Sequence, residues 1–315
     1  MKKGFLLFFF FLAISITSYS AEVPDTVRVG IYITSVHDID FRQKEYTVNL
    51  WLWLKYKKRE FDFAQNLEVP QAKTVTKSFV TIDSSDGVFF MMMKLQCVMK
   101  DSWKISSFPF DYQKLRLSIE NSQYDARSLI FTPDTIGEHF AKYAISGWVL
   151  DSLKISAGKK IYETDFGDET LDKPESVYSA FKVMIGIERD GRWELFLKIF
   201  IGMYVSFLIA FVCFFIHTAS VESRFGLSVG SLFAVIGNKY IIDSALPETT
   251  SFTLVDILHA FTLFFILIVI ASTAASLKLV KENKATQAKR FDMIMAWSLL
   301  ILYIVLNIYF ISKAT

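Results

Sequence analysis

Four long apolar segments in the second half of the chain constrain its fold more than any other feature. A helix of about 20 residues crosses the hydrocarbon core of a bilayer, and each segment has about that length. The sequence predicts a membrane domain over residues 192–315, with helices at about 193–216, 222–246, 252–277 and 291–312. The apolar surplus, 52% of 315 residues with 31 Phe, excludes an ordinary soluble protein.

The second apolar segment is more polar than the other three. It contains glycines and serines together with Asn238 and Lys239. Against lipid these groups would be costly, so the helix is expected to be shielded by other helices or to line water. It is therefore a candidate pore wall.

The first residues, 1–21, have the pattern of a secretory signal peptide. Met1 is followed by two lysines, an apolar run covers Phe5 to Ile14, and small residues precede a cleavage site near Ala21. A membrane anchor is the weaker alternative because the apolar run is short for a membrane span. The segment that follows is therefore expected to be exported.

Residues 22–191 have the alternation and turn residues that are typical of strands, with no convincing helix between them. The sequence predicts an all-β sandwich, with strands at 27–33, 46–56, 73–82, 88–99, 114–119, 128–132, 148–156 and 178–188. Cys97 falls in this domain and Cys213 in a membrane helix. No disulfide within the chain is expected.

The connection between the third and fourth helices, residues 278–290, is rich in lysine and arginine and is predicted to be cytoplasmic. An exported first domain followed by four spans places the same loop inside. The net charge of +2 is too small to indicate a nucleic acid partner. No nucleophile, metal-binding or phosphate-binding motif is present, so neither an enzyme nor a cofactor is expected, and a metal site is left open.

The sharpest local motif is Phe108-Pro109-Phe110-Asp111, within the stretch from Trp103 to Leu115. An apolar turn would explain its composition. It resembles the signature loop of the pentameric ligand-gated ion channels, the Cys-loop receptor superfamily, in the bacterial form that lacks the two flanking cysteines. The order of exported sandwich, this loop, Arg189 before the first span, four spans and Pro247 after the second extends the resemblance over the mature chain.

The resemblance implies a homopentameric ligand-gated channel of the bacterial inner membrane, with the sandwich in the periplasm and a cation-selective pore. The expected partners are other copies of the chain, permeant monovalent cations, the lipid bilayer, and a small or cationic ligand, for which a divalent cation is the alternative. Two other functions stay open: a membrane-bound ligand sensor that does not conduct, and an anion-selective channel of the same fold.

The resemblance also implies a ligand site between subunits. Its expected residues are Trp51, Trp53, Tyr124, Asp125, Tyr162, Phe166 and Tyr178. Aromatic rings there would hold a cation by cation–π contact. The alternative for Trp51 and Trp53 is a place in the sandwich core, and the acidic loop 162–175 has the alternative of a solvated loop.

Coupling between the two domains is expected at the boundary. The residues implied are Asp40, Phe108, Pro109, Phe110, Asp111, Arg189 and Pro247. In particular Asp111 and Arg189 should pair, together with an acid after the first strand, for which Asp40 is the candidate. An ordinary surface ion pair of small energetic value is the alternative.

Two stripes on the second helix compete for the pore. A polar stripe holds Arg224, Ser228, Ser231, Val235 and Asn238, and the opposite stripe holds Gly226, Gly230, Phe233, Gly237 and Tyr240. Anchoring the helix as the family does, with Glu222 at the inner mouth and Pro247 after the outer end, favours the second stripe. Phe233 and Tyr240 would then form the hydrophobic constriction, and a ring of Glu222 carboxylates would select cations.

Overall fold

The computed structural model describes residues 23–142, 145–169, 171 and 173–315. The predicted signal peptide, residues 1–21, lies outside this part of the chain. The described residues form a β-sandwich followed by four helices that are long and apolar enough to cross a membrane. The predicted fold class is confirmed in both domains.

Nine strands are found among the described residues. They are β1 (Asp25–Asp40), β2 (Glu45–Tyr56), β3 (Leu67–Glu68), β4 (Ala72–Ser85), β5 (Val88–Lys100), β6 (Tyr112–Asn121), β7 (Leu129–Pro133), β8 (Trp148–Tyr162) and β9 (Ser176–Arg189). One sheet has the order β4-β5-β2-β1-β7, and the other has the order β3-β6-β9-β8.

The sandwich core follows from strict alternation along the strands. On β2, Leu50, Leu52 and Leu54 are fully buried between the sheets, whereas Trp51 and Trp53 point to the opposite face and are half-buried. β5 and β9 contribute buried Met, Leu, Val and Ile side chains in the same way. The two tryptophans are therefore outside the core between the sheets.

The helical domain consists of α1 (Arg192–Val212), α2 (Val221–Ala245), α3 (Leu254–Lys281) and α4 (Ala285–Ala314). Gly191, with φ of +64°, makes the turn from β9 into α1, a conformation that favours glycine. Thr253 and Asp256 form a capping box that starts α3. These two features fix where the first and third helices begin.

The connection between α3 and α4 is shorter than predicted. Helix α3 continues to Lys281 and α4 begins at Ala285, so only residues 282–284 separate the two helices. The sequence predicted a longer loop, over residues 278–290. Lys278 and Lys281 lie in the last turn of α3, where positive charge is favourable next to the negative end of the helix dipole.

Candidate functional site

The boundary between the sandwich and the helices is built around Arg189, the last residue of β9. Its Nε donates a hydrogen bond to Oδ1 of Asp111 at 2.8 Å. Its guanidinium carbon lies 4.6, 4.8 and 4.3 Å from the ring centroids of Phe41, Phe108 and Trp148. One carboxylate and three aromatic rings therefore surround this positive charge.

The loop that precedes β6 connects this arginine to the helices. Phe110 packs on Trp193 and Phe196 of α1, with ring centroids 4.7 and 5.5 Å apart. The peptide bond between Phe108 and Pro109 is cis. The backbone carbonyl of Ser106 accepts a hydrogen bond from the amide of Leu254, at the start of α3, at 2.8 Å.

Pro247 is buried just after the C-terminal end of α2, next to the sandwich. It lines a cavity of about 410 Å³ together with Ile105 of the sandwich loop and with Lys239 and Asp256 of the helices. The loop after α2 is therefore in contact with the same segment of the sandwich that carries Asp111.

Asp40 is placed differently from the expected acid partner of Arg189. Its carboxylate accepts a hydrogen bond from the Gln43 amide at 2.7 Å, and its carbonyl accepts one from Trp103 Nε1 at 3.1 Å. The second hydrogen bond on Asp111 comes instead from Gln113, at 2.6 Å. Among the described residues, Asp111 is the carboxylate that pairs with Arg189.

The two stripes of α2 have opposite surroundings within one subunit. Arg224, Ser228, Ser231 and Val235 are buried against the other helices, and Asn238 Nδ2 donates to the Ile199 carbonyl of α1 at 3.3 Å. On the opposite stripe Phe233 is 67% exposed and Tyr240 is 77% exposed. Gly226, Gly230 and Gly237 lie on that same uncovered face, and Glu222 is exposed at its start.

A buried charged cluster holds the N-terminal end of α2. Arg224 Nη2 donates to Asp292 Oδ2 of α4 at 2.8 Å, and Arg224 Nε donates to the carbonyl of Cys213, just after α1, at 2.9 Å. Ser276 of α3 donates to the same oxygen of Asp292 at 3.0 Å. These contacts join α2, α3, α4 and the turn that follows α1 at one point.

The candidate ligand pocket lies at the top of the four-stranded sheet, near the loop between β8 and β9. It has a volume of about 370 Å³, and Glu68, Glu120, Tyr162, Phe166 and Tyr178 are among its lining residues. The three aromatic rings have centroids 5.5 to 6.3 Å apart. Rings and carboxylates together are the chemistry that binds an organic cation.

Glu120 is the most enclosed polar group of this pocket, being 4% exposed. Tyr162 donates its hydroxyl to Oε2 of Glu120 at 2.9 Å, and Ser118 donates to Oε1 at 3.1 Å. Burial raises the pKa of the Glu120 carboxyl above its ordinary value, although both hydrogen bonds lower it. Burial and the bond to Glu120 raise the pKa of the Tyr162 hydroxyl. The sequence placed the loop that begins at Glu120 in the ligand site and singled out Tyr124 and Asp125 there, but not Glu120 itself, whose partner Tyr162 is 42 positions away in the chain.

The structure brings together only part of the predicted ligand site within one subunit. Tyr162, Phe166 and Tyr178 line the pocket, whereas Tyr124 packs on Phe61 of the sandwich with ring centroids 5.1 Å apart. Asp125 pairs with Arg127 at 2.5 Å.

Trp51 and Trp53 are on the other sheet. Trp53 Nε1 donates to Asp134 at 3.1 Å, and the ring of Trp51 lies near Phe79 with centroids 6.1 Å apart. Trp51 and Trp53 are therefore not part of the pocket of their own subunit. They can line a ligand site only by contacting the pocket of a second subunit. Their predicted role therefore depends on assembly.

No protein-family model matches the chain. Over 291 residues it is 22% identical to a proton-gated ion channel of Gloeobacter violaceus, an alignment that covers 85% of this chain and 77% of that protein. It is 24% identical over 151 residues to the epsilon subunit of the Bos taurus acetylcholine receptor, covering 39% of this chain and 31% of the subunit. It is 27% identical over 135 residues to the alpha-2 subunit of the Gallus gallus neuronal acetylcholine receptor, covering 34% and 26%.

These matches relate the chain to the pentameric Cys-loop receptor superfamily. Its nine described strands and four membrane-length helices match the fold of these channels. The relatives are ion channels and receptor subunits rather than enzymes, which agrees with the expected lack of enzymatic activity. The four apolar helices indicate a membrane protein, and the relatives support a ligand-gated channel.

Proposed function

We propose that the chain forms a homopentameric, cation-selective channel that opens when a small cationic ligand binds to the sandwich domain. The uncovered stripe of α2 is the observation that carries this proposal. No other helix of the described subunit covers Phe233 or Tyr240, and a pore wall needs a face that its own subunit leaves open. Five copies of the stripe would enclose water.

Cation selectivity follows from how α2 separates its two charges at the inner end. Glu222 is exposed, whereas Arg224 is fully buried and paired with Asp292. Two residues along a helix are about 200° apart, so the arginine turns away when the glutamate faces the lumen. A ring of carboxylates at the mouth would then favour cations.

The pocket of Tyr162, Phe166, Tyr178 and Glu120 is the proposed ligand site, completed at the interface by residues such as Trp51 and Trp53 of the next subunit. Its signal would reach the pore through Asp111, Arg189 and the loop that holds Pro247. The sandwich would face the periplasm of a bacterial cell, and the helices would cross its inner membrane with residues 282–284 in the cytoplasm. Permeant monovalent cations would pass through the helical domain.

The test is current through the purified protein in planar bilayers under a salt gradient. The parent channel should show a reversal potential near the equilibrium potential of the cation. Glu222→Gln should move this reversal potential toward zero. Glu282→Gln, an equal charge change at the same end of the helix bundle, is the matched control and should leave the reversal potential unchanged.

In the same bilayers the Phe233→Ser channel should leak ions without ligand, because the substitution removes the apolar ring that excludes water from the closed pore.

Three results would contradict the proposal. A reversal potential near that of chloride would support the anion-selective alternative. A protein that binds amines but carries no current would support the sensor. A native mass that is not five times that of the mature subunit would rule out the pentamer.

A further inference from the structure

A buried histidine joins three helices in the half of the bundle next to the sandwich. His259 of α3 is fully buried. Its Nδ1 lies 2.8 Å from the carbonyl oxygen of Val255, one turn earlier on the same helix, and its Nε2 lies 2.9 Å from Oδ1 of Asn238 on α2. Asn238 Nδ2 donates in turn to the carbonyl of Ile199 on α1 at 3.3 Å. We call the two side chains and the two carbonyls the histidine junction.

The amide of Asn238 fits closely against α1 because position 202 is a glycine. A Cβ added at Gly202 would lie 3.1 Å from Nδ2 and 3.5 Å from Cγ of Asn238. Above the histidine, the ring of Phe200 has its centroid 5.7 Å from that of His259. The imidazole is therefore enclosed by packed groups, and it must find its hydrogen-bond partners inside the junction.

The hydrogen bonds of the junction need one more proton than a neutral histidine carries. A carbonyl oxygen only accepts, so Nδ1 must donate to Val255. Because Asn238 uses its NH2 group toward Ile199, its Oδ1 faces the ring, and Nε2 must donate as well. A neutral imidazole has one N–H, and only the imidazolium has two. All three hydrogen bonds are therefore made together only when His259 is protonated.

Neutral His259 requires a different arrangement. With its one proton on Nδ1, Nε2 becomes an acceptor, and the Asn238 amide must turn over to donate to it, because hydrogen-bond partners set the orientation of such an amide. Oδ1 of Asn238 would then face the Ile199 carbonyl, and two acceptors make no hydrogen bond. In this arrangement α2 stays bonded to α3 and loses its bond to α1.

The charged groups near the junction come from α2 and α3. Lys239 and Asp243 lie on α2, and Asp256 lies on α3. The lysine pairs with both carboxylates, so the three groups together are negative. From α1 the ring meets Phe200 and a backbone carbonyl, neither of which titrates. Burial opposes a charge on the imidazole, and the surplus carboxylate offsets part of that cost.

We propose that the histidine junction binds a proton that decides whether α2 is tied to α1, and that this proton regulates opening of the pore. Asn238 lies on the stripe of α2 opposite Phe233 and Tyr240, so a rotation of the pore face moves its amide relative to α1 and α3. With the proton bound, α2 is held from both sides. Without it, α3 alone holds this turn of the helix. The inference rests on the proposed function, since regulation of a pore requires one.

The experiment is solid-state NMR of the full-length protein, labelled with 15N-histidine, in lipid vesicles between about pH 5 and 8, the range in which histidine changes charge. Ring 15N shifts distinguish an imidazolium from a neutral ring. The His259 signals are those that remain in His37→Gln/His139→Gln/His217→Gln and disappear in His259→Phe. We expect both of its ring nitrogens to carry protons at the acidic end of the range and one of them at the alkaline end.

Substitution of Asn238 tests the role of the amide. A carboxylate accepts and cannot donate, so in Asn238→Asp the midpoint of the His259 titration should rise by about one pH unit or more. In Asn238→Leu the acceptor is gone, and the midpoint should fall. The matched control is Asn307→Leu, which removes a buried amide that bonds to Tyr204 and Tyr303 instead. It should leave the midpoint unchanged.

Leak current through the Phe233→Ser channel measures regulation without a ligand. Between the two ends of the pH range this current should change at least threefold, and in Asn238→Asp the change should move to higher pH together with the NMR midpoint. His217→Gln removes an exposed histidine and should keep the pH dependence of its parent. A His259 that keeps a single proton over the whole range would overturn the proposal. A current whose pH dependence is the same with and without Asn238→Asp would also overturn it.

Spectrum and current separate this inference from the proposed function. Two protons on His259 in a protein that carries no current would support the proton site and contradict the channel. Current that is independent of the proton on His259 would support the channel and contradict the junction.

Discussion

Two arginine–aspartate pairs lie at opposite ends of the helix bundle and differ in what surrounds them. In both, nitrogen and oxygen are 2.8 Å apart. At the end next to the sandwich, the Arg189 side chain is 13% exposed and stacks between aromatic rings. At the opposite end, Arg224 is 1% exposed and hydrogen-bonds to the carbonyl of Cys213, just after α1, and to Asp292 of α4.

This difference indicates what each pair can do. The attraction between a guanidinium and aromatic ring faces is only weakly directional. Arg189 can therefore shift without losing all of its contacts. Arg224 is held by directional hydrogen bonds in the buried interior of the bundle, where an unpaired charge is costly. We therefore expect the Arg224–Asp292 pair to fix the rotation of α2 and the Arg189–Asp111 pair to change when the channel opens.

The largest effect is expected for Asp292→Ala. The substitution leaves Arg224 buried without its carboxylate, and breaking one partner of a buried pair costs about 3 to 5 kcal/mol. We expect loss of assembled protein, measured by size-exclusion chromatography and thermal unfolding in detergent.

A double substitution separates the charge from the packing. Arg224→Met/Asp292→Leu removes both charges and keeps apolar volume, which is often neutral or stabilising. We expect it to recover assembly. If Asp292→Ala assembles and unfolds like the parent, Arg224 does not depend on this carboxylate, and the contrast between the two ends of the bundle is wrong.

A smaller effect on stability, but a larger one on gating, is expected for Arg189→Ala. The partner Asp111 keeps its hydrogen bond from Gln113, so assembly should persist. Opening should need at least several-fold more ligand, because the proposed coupling route from the sandwich to the helices passes through this side chain. Dose–response curves of current measure the change.

Arg189→Lys is the matched control for this prediction. It keeps the positive charge but loses the planar group that stacks on rings, so it should lie between the parent and Arg189→Ala. Unchanged dose–response curves for both variants would remove Arg189 from the coupling route.

The smallest effect is expected for Lys239→Gln, in the C-terminal half of α2. Lys239 pairs with Asp243 at 2.6 Å and with Asp256 at 2.7 Å, and its side chain is 28% exposed. Partly solvated pairs of this kind contribute about 1 kcal/mol or less. Thermal unfolding should therefore change far less than in Asp292→Ala. An equal loss in the two variants would mean that burial does not distinguish these charges.

The fold could be predicted because its signals are local. Hydropathy indicates each membrane helix within its own 20 to 30 residues, and alternation indicates strands such as β2 and β5. The predicted positions of helix ends are less accurate, because the lysines at the end of α3 have the sequence pattern of loop residues. Charged side chains in a last helical turn and in a loop look the same in sequence.

The candidate site was predicted only in part because its contacts join distant positions. Asp292 is 68 residues from Arg224 in the chain, and no local pattern connects them. The carboxylate of Glu120 reaches Tyr162 across the sheet, and Asp40 turns to a nearby backbone amide instead of to Arg189. The resemblance indicated Asp111 and Arg189, whereas the residues around Arg224 and Glu120 required the tertiary structure.

The glycines of the uncovered stripe have a consequence for how this helix tolerates change. A Cβ added at Gly226, Gly230 or Gly237 meets no atom within 4 Å in its own subunit. Alanine favours a helix over glycine by about 1 kcal/mol, so a lone subunit gains from each replacement. A loss of stability at these positions can come only from molecules outside the subunit. Sequence variation along this stripe is therefore expected to reflect contacts of the helix with molecules outside the subunit rather than the folding of the subunit itself.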